Sequence, residues 1–138
     1  TGRTLGEELL EPTRIYAKAC LDLIDAVDVH AMSHITGGGL ANNLARVLPE
    51  NVHVTIDRST WRPAPIFSLV QQVGGISVPD IEATLNMGVG MVALLPAGDA
   101  DVARARLADV GIDAWIMGEV SSGPADNAGV TLVGEHRR

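Results

Sequence analysis

Residues 30–49 read HAMSHITGGGLANNLARVLP. Up to the glycines the pattern alternates. Val29, Ala31, Ser33 and Ile35 share one face, which predicts a strand. Beyond them, Leu40, Leu44, Val47 and Leu48 recur at helical spacing, and Pro49 stops the run. Gly37, Gly38 and Gly39 lie between the two. A strand passing straight into a helix through a glycine corner is the repeating unit of an α/β layer.

The same alternation extends in both directions. Upstream, a helix is expected over residues 14–26, capped by Thr13, with Tyr16, Cys20, Leu23, Ile24 and Val27 as its apolar stripe. Downstream, NVHVTID (51–57) alternates as a strand. Pro63 and Pro65 open a helix carrying Ile66, Leu69, Val70 and Val73, ended by Gly74 and Gly75. Pro79 starts a short helix through Leu85. GVGMVALLP (88–96) reads as a buried strand, and Ala103, Leu107 and Val110 mark a helix stopped by Gly111. AWIMGEV (114–120) predicts a strand, SSGPADNAG (121–129) a flexible loop, and VTLVG (130–134) a last strand. The expected class is α/β (α+β), a single mixed sheet with helices packed on it. Residues 1–13 lack a sustained period and read as a linker or arm. Residues 14–138 form the domain.

A chain of 138 residues suits one domain, and 46% hydrophobic content supports a real core. Aromatic residues are 3%, so the core is expected from Val, Leu, Ile, Ala and Met. The formal charge is -7, which argues against nucleic acid as a partner. A small anion needs only a local site and stays open. Cys20 is the sole cysteine, so no disulfide forms within the chain and cytoplasmic residence fits. No run is apolar enough for a bilayer span, and the N-terminus resembles neither a signal nor a transit peptide. With no initiator methionine, a piece of a longer protein is expected.

The glycine corner carries chemistry as well as geometry. The first N–H groups of the helix lack intrahelical acceptors, and the helix dipole adds positive charge there. Glycine lets a ligand approach the backbone. Thr36 adds a hydroxyl, Asn43 an amide and Arg46 a charge, which together suit a phosphate or carboxylate. No Walker A pattern is present, and Asn42 stands where a dinucleotide fingerprint needs its third glycine. From residue types alone, a tight connection without a ligand is an equal reading. His30 and His34 share a strand face as ligands or acid–base groups, although a structural histidine is the commoner case and two histidines make no zinc site. His53 reads as half-buried. Asn86, Gly88 and Gly90 mark a tight turn with close packing. Asp22, Asp25 and Asp28 read as a solvated face, and Cys20 as inert core.

Three stretches taken together are more specific. LGEELLEPTRIYAK (5–18), VHAMSHITGGGLANNLARVLP (29–49) and LNMGVGM (85–91) resemble phosphoribosylformylglycinamidine cyclo-ligases, also called aminoimidazole ribonucleotide synthetases. The likeness covers roughly residues 5–120 and corresponds to the C-terminal domain with its interdomain linker. It implies ATP-dependent closure of the imidazole ring of aminoimidazole ribonucleotide from formylglycinamidine ribonucleotide, in purine biosynthesis. ATP and Mg²⁺ would be bound mainly by a missing N-terminal domain, which also forms the homodimer. The chain alone is then expected to be inactive.

Carried over by motif, the resemblance gives His34 a catalytic role. It gives Thr36, Gly37, Gly38, Gly39, Asn43 and Arg46 the substrate phosphate, and Asn86, Gly88 and Gly90 the shaping of the cleft. No metal ligand is assigned. Relatives often carry Glu at Asn42 and Phe at Leu85, so residue 42 receives no role. The alternatives are another superfamily member, such as a selenophosphate synthetase, or a non-catalytic anion-binding or oligomerisation module.

Overall fold

A computed structural model of the protein describes residues 2–124 and 128–137. The glycine corner joins strand β1 (Ala31–His34) to helix α3 (Gly39–Ala45) as the periodicity predicts, although the helix ends before Val47 and Leu48 of the expected stripe. Strand β1 pairs antiparallel with β3 (Met91–Leu94), with Ala31 opposite Leu94 and His34 opposite Met91. Strand β2 (Val52–Asp57) lies between β4 (Gly118–Ser122), antiparallel to it, and β5 (Gly129–Val133), parallel to it.

The class is mixed α/β, but the strands divide into two sheets, ordered β1-β3 and β4-β2-β5, rather than one. The reason is that both edges of β2 are taken, so the β1-β3 ribbon has no edge of β2 to extend. The two sheets share one core instead. Ile35, Val89 and Val92 from the ribbon side meet Val54 and Ile56 of β2, with Leu40, Leu44 and Trp61 between them. Trp61 corrects the expectation of an aliphatic core. It is buried, and its indole Nε1 donates to the Met87 carbonyl at 3.1 Å, which satisfies its one polar group.

The helices follow the punctuation of the sequence with three differences. A short helix α1 (Leu5–Leu9) forms in the arm, closed by a capping box between Thr4 and Glu7. Helix α2 (Ala17–Ala26) begins later than expected. Thr13 does not cap it, and Tyr16 holds the N-cap position without a capping bond. Its buried contacts are Ala19 and Leu23, facing α6 (Ala100–Asp109), while Ile24 is exposed. Helix α4 (Pro65–Gly74) starts at proline and ends on Gly75 in the left-handed region. None of its residues is buried, and Leu69, Val70 and Val73 face away from this core.

Helix α5 (Val78–Thr84), capped by Ser77, buries Ile81 and Glu82 and packs against α3. Strand β4 starts only at Gly118 and runs into Ser121 and Ser122, which were expected in a loop. Gly118 lies so close to β2 that an added Cβ would meet the Ile56 Cα at 3.0 Å. Residues 125–127 of that loop lie outside the described residues. No helix among the described residues is long and apolar enough to cross a membrane.

Glu82 is a buried carboxylate, and its surroundings explain how α5 tolerates it. Arg58, just after β2, donates Nε to Oε1 at 2.8 Å and Nη2 to Oε2 at 3.0 Å. His136 Nε2 lies 2.9 Å from Oε1, and its ring stands edge-on to Trp61 at 4.7 Å. Arg58 Nη1 also donates to the carbonyls of Leu132 and Gly134. One guanidinium therefore ties β2, α5 and the segment after β5 together.

Candidate functional site

Each glycine of the corner has its own physical reason. Gly38 has φ +100° and Gly39 φ +72°, in the region that side chains rarely adopt. Gly39 also has no room. An added Cβ would overlap the Glu82 carbonyl oxygen and stand 3.1 Å from the Ala83 carbonyl carbon, so α3 and α5 touch backbone to backbone there. The Gly38 N–H is taken by the Thr84 carbonyl at 3.3 Å. Gly37 differs from both: an added Cβ there meets nothing within 4 Å.

Asn43 holds this corner from inside. It is buried, and its Nδ2 donates to the Gly39 carbonyl at 2.7 Å and the Gly37 carbonyl at 3.2 Å, with Thr36 at 3.4 Å. Its amide hydrogens are thus engaged within the loop, so it shapes the corner rather than reaching outward. Arg46 Nη1 donates to Asn43 Oδ1 at 3.4 Å, and the guanidinium lies beside Gly38. Asn42, which the sequence left without a role, donates to the Gly38 carbonyl at 2.9 Å.

Beside the corner is a cleft of about 440 Å³. Three segments line it. The stretch before α2 contributes Thr13, Arg14 and Tyr16. The end of β1 contributes His34, Thr36 and Gly37, and the end of α5 with the turn into β3 contributes Asn86 and Gly90. Of the residues predicted from sequence, His34, Thr36, Gly37, Asn86 and Gly90 are therefore brought together. Gly38, Gly39, Asn43 and Arg46 lie behind or beside the wall. Gly88 shapes the turn: it has φ +89°, its N–H donates to Asn86 Oδ1 at 3.0 Å, and Met87 between them adopts φ 51°. Among the described residues the lining carries Arg14 and no carboxylate. A larger hollow of about 550 Å³, bounded by α6 and residues 111–114, contains none of the predicted residues.

The other candidates do not converge on this cleft. His30 pairs with Asp28 at 3.2 Å on the surface, and His53 Nε2 lies 3.0 Å from the Thr131 hydroxyl. Among the described residues no group of three or more His, Cys, Asp or Glu could hold a metal ion. Cys20 is half-buried, and burial pushes its thiol above the ordinary range.

The sequence matches the family described as AIR synthase related protein, C-terminal domain, over residues 1–131. The chain belongs to this family. The AIR synthase related domain is 62% identical over 120 residues to a Streptomyces fradiae protein provisionally named phosphoribosylformylglycinamidine cyclo-ligase; the match covers 87% of this chain and 66% of that protein. It is 48% identical over 125 residues to a phosphoribosylformylglycinamidine cyclo-ligase of Anaeromyxobacter sp. (strain Fw109-5), covering 91% of this chain and 36% of that one. The domain thus spans less than two thirds of the length of either relative.

Thr13, Arg14 and Tyr16 are cleft residues of the AIR synthase related domain that spacing concealed. Their spacing fits a helix, which hid the fact that this stretch crosses the cleft before the helix begins.

Proposed function

We propose that this AIR synthase related domain is the C-terminal part of a phosphoribosylformylglycinamidine cyclo-ligase and forms the ribotide-phosphate side of that enzyme's cleft. The observation that carries the reading is the convergence of three distant segments on one cleft beside the glycine corner, with no carboxylate among the described lining residues. A phosphate dianion suits such a wall, because its hydroxyl and cationic donors favour it. In this reading Thr36 offers its hydroxyl, and Gly37 lets the phosphate reach the backbone. Arg14 supplies charge from the lining and Arg46 from beside Gly38, and Asn43 keeps the corner in shape with Gly38 and Gly39. Asn86, Gly88 and Gly90 set the opposite wall. His34 is the imidazole on the lining and takes the proton-handling role.

The reaction is ring closure. ATP activates the formyl amide oxygen of formylglycinamidine ribonucleotide, an internal nitrogen attacks that carbon, and phosphate leaves with the oxygen. A magnesium–nucleotide complex calls for carboxylate oxygens, and the described residues of this cleft offer none. The reading therefore places ATP and Mg²⁺ mainly on an N-terminal domain outside this chain. Homodimerisation through that domain and a cytoplasmic location belong to the same reading.

The test uses the full-length protein and the chain separately. Full-length protein should convert the ribotide and ATP to aminoimidazole ribonucleotide, ADP and phosphate, while the chain alone releases no ADP. Thr36→Val should raise KM for the ribotide by about tenfold to a hundredfold, the loss of one charge-assisted hydrogen bond. Cyclisation absent from the folded full-length protein, or an unchanged KM in the variant, would refute the reading.

A further inference from the structure

Tyr16 is the only tyrosine in the chain, and helix formation does not explain its position. It occupies the N-cap of α2 yet gives the helix no capping bond. Its ring instead crosses the cleft to Gly90. That glycine has no positive φ, so backbone conformation does not demand it. It supplies room. An added Cβ would overlap the Tyr16 hydroxyl and stand 2.7 Å from Cζ and 3.0 Å from Cε2. Tyr16 also meets the His34 imidazole, with centroids 6.0 Å apart and planes at 65°. This is the edge-to-face geometry that aromatic quadrupoles favour. All three residues line the same cleft.

We propose that Tyr16 is a positioning residue for His34, and that residue 90 is glycine to admit the Tyr16 ring. The ring, lodged against the lead-in to β3, sets the angle at which the imidazole faces the cleft. The stretch before α2 thereby becomes part of the site, and withdrawing it releases His34. Only the activity arm of the following test rests on the cyclo-ligase reading.

The geometric arm uses the 138-residue chain with nitrogen-labelled histidine. His34→Gln assigns the His34 signal among the four histidines. Tyr16→Phe should leave the His34 ring shifts in place, and Tyr16→Ala should displace them. Gly90→Ala should displace them too, because the methyl expels the ring. In the Tyr16→Ala background, Gly90→Ala should add nothing. If Gly90→Ala alone does not fold, the double variant should fold, since removing the ring removes the clash. A His34 signal indifferent to Tyr16→Ala, an equal Gly90→Ala effect in both backgrounds, or a Gly90→Ala defect that Tyr16→Ala does not relieve would overturn the proposal.

In the full-length protein, Tyr16→Ala should lower kcat by about tenfold to a hundredfold, the effect of a misplaced group, while Tyr16→Phe holds it. An unchanged kcat in Tyr16→Ala overturns the positioning role. A coupled His34 signal in a protein that performs no cyclisation overturns the cyclo-ligase reading and leaves the ring pairing intact.

Discussion

Arg58→Ala is predicted to be among the most damaging single changes in this fold. Glu82 is 5% exposed at its side chain and Arg58 23%. Their two-pronged contact compensates the desolvation of the carboxylate. Removing the guanidinium leaves Glu82, among the described residues, with His136 on the Oε1 side, and strips a donor from the carbonyls of Leu132 and Gly134. Breaking a buried pair from one side costs about 3–5 kcal/mol. For a domain of this length that lowers the thermal midpoint by roughly 10–17 °C. Urea unfolding followed by tryptophan fluorescence reads the change directly, because Trp61 packs against His136. The double replacement Arg58→Met with Glu82→Met should lose less than Arg58→Ala, since it buries no unpaired charge. A loss below about 1 kcal/mol for Arg58→Ala would place the pair among solvated surface contacts and refute the reasoning.

Gly39→Ala should cost about 2–4 kcal/mol in chemical denaturation, combining the left-handed backbone with overlap on α5, whereas Gly37→Ala should stay within about 1 kcal/mol. Equal losses at the two positions would show that the corner responds to glycine content and not to geometry. Asp57 Oδ1 accepts from the Ser59 N–H at 2.8 Å, which holds its carboxyl below the ordinary value of 3.8. Its contribution is therefore complete above that value and is lost as pH falls through the lower folded value, so Asp57→Asn should flatten the acid limb of the stability curve. A steeper limb in the variant would reverse the sign. Cys20, raised by burial, should be alkylated at pH 8 more slowly in the folded chain than in urea, and equal rates would contradict that environment.

What could be read from sequence follows the range of the interactions. The β1–α3 corner was legible because strand alternation, glycines and helical spacing all lie within residues 30–49. The centre of β2 was legible for the same reason, with Val54 and Ile56 turned inward. The division into two sheets was not, because it depends on which distant strands claim the edges of β2. The stripe on α4 is legible as a helix, but the exposure of its apolar residues is not, since periodicity reveals an apolar face and not what covers it. The burial of Glu82 is not legible in the sequence, because its partners Arg58 and His136 are far away in the chain. The three cleft segments were equally separate. His34 and Thr36 could be named as candidates, but only the fold reveals that Tyr16 stands over Gly90 beside them.

The pairing of β2 sets an order on synthesis. Val54 is partnered by Val120 on one side and Val130 on the other, so both neighbours are translated long after β2 itself. At about 5–20 residues per second, the nascent VHVTID segment spends several seconds with both edges open. Such a strand is a template for pairing with another chain. Asp57 and Arg58, at its end, place two charges where a second copy would otherwise extend the ladder. Nascent chains from which residue 118 has not yet emerged should therefore remain sensitive to protease at β2, and those from which residue 134 has emerged should become resistant together with the sheet. Early protection of β2 in the shorter chains would mean that it finds a temporary partner before its own strands exist.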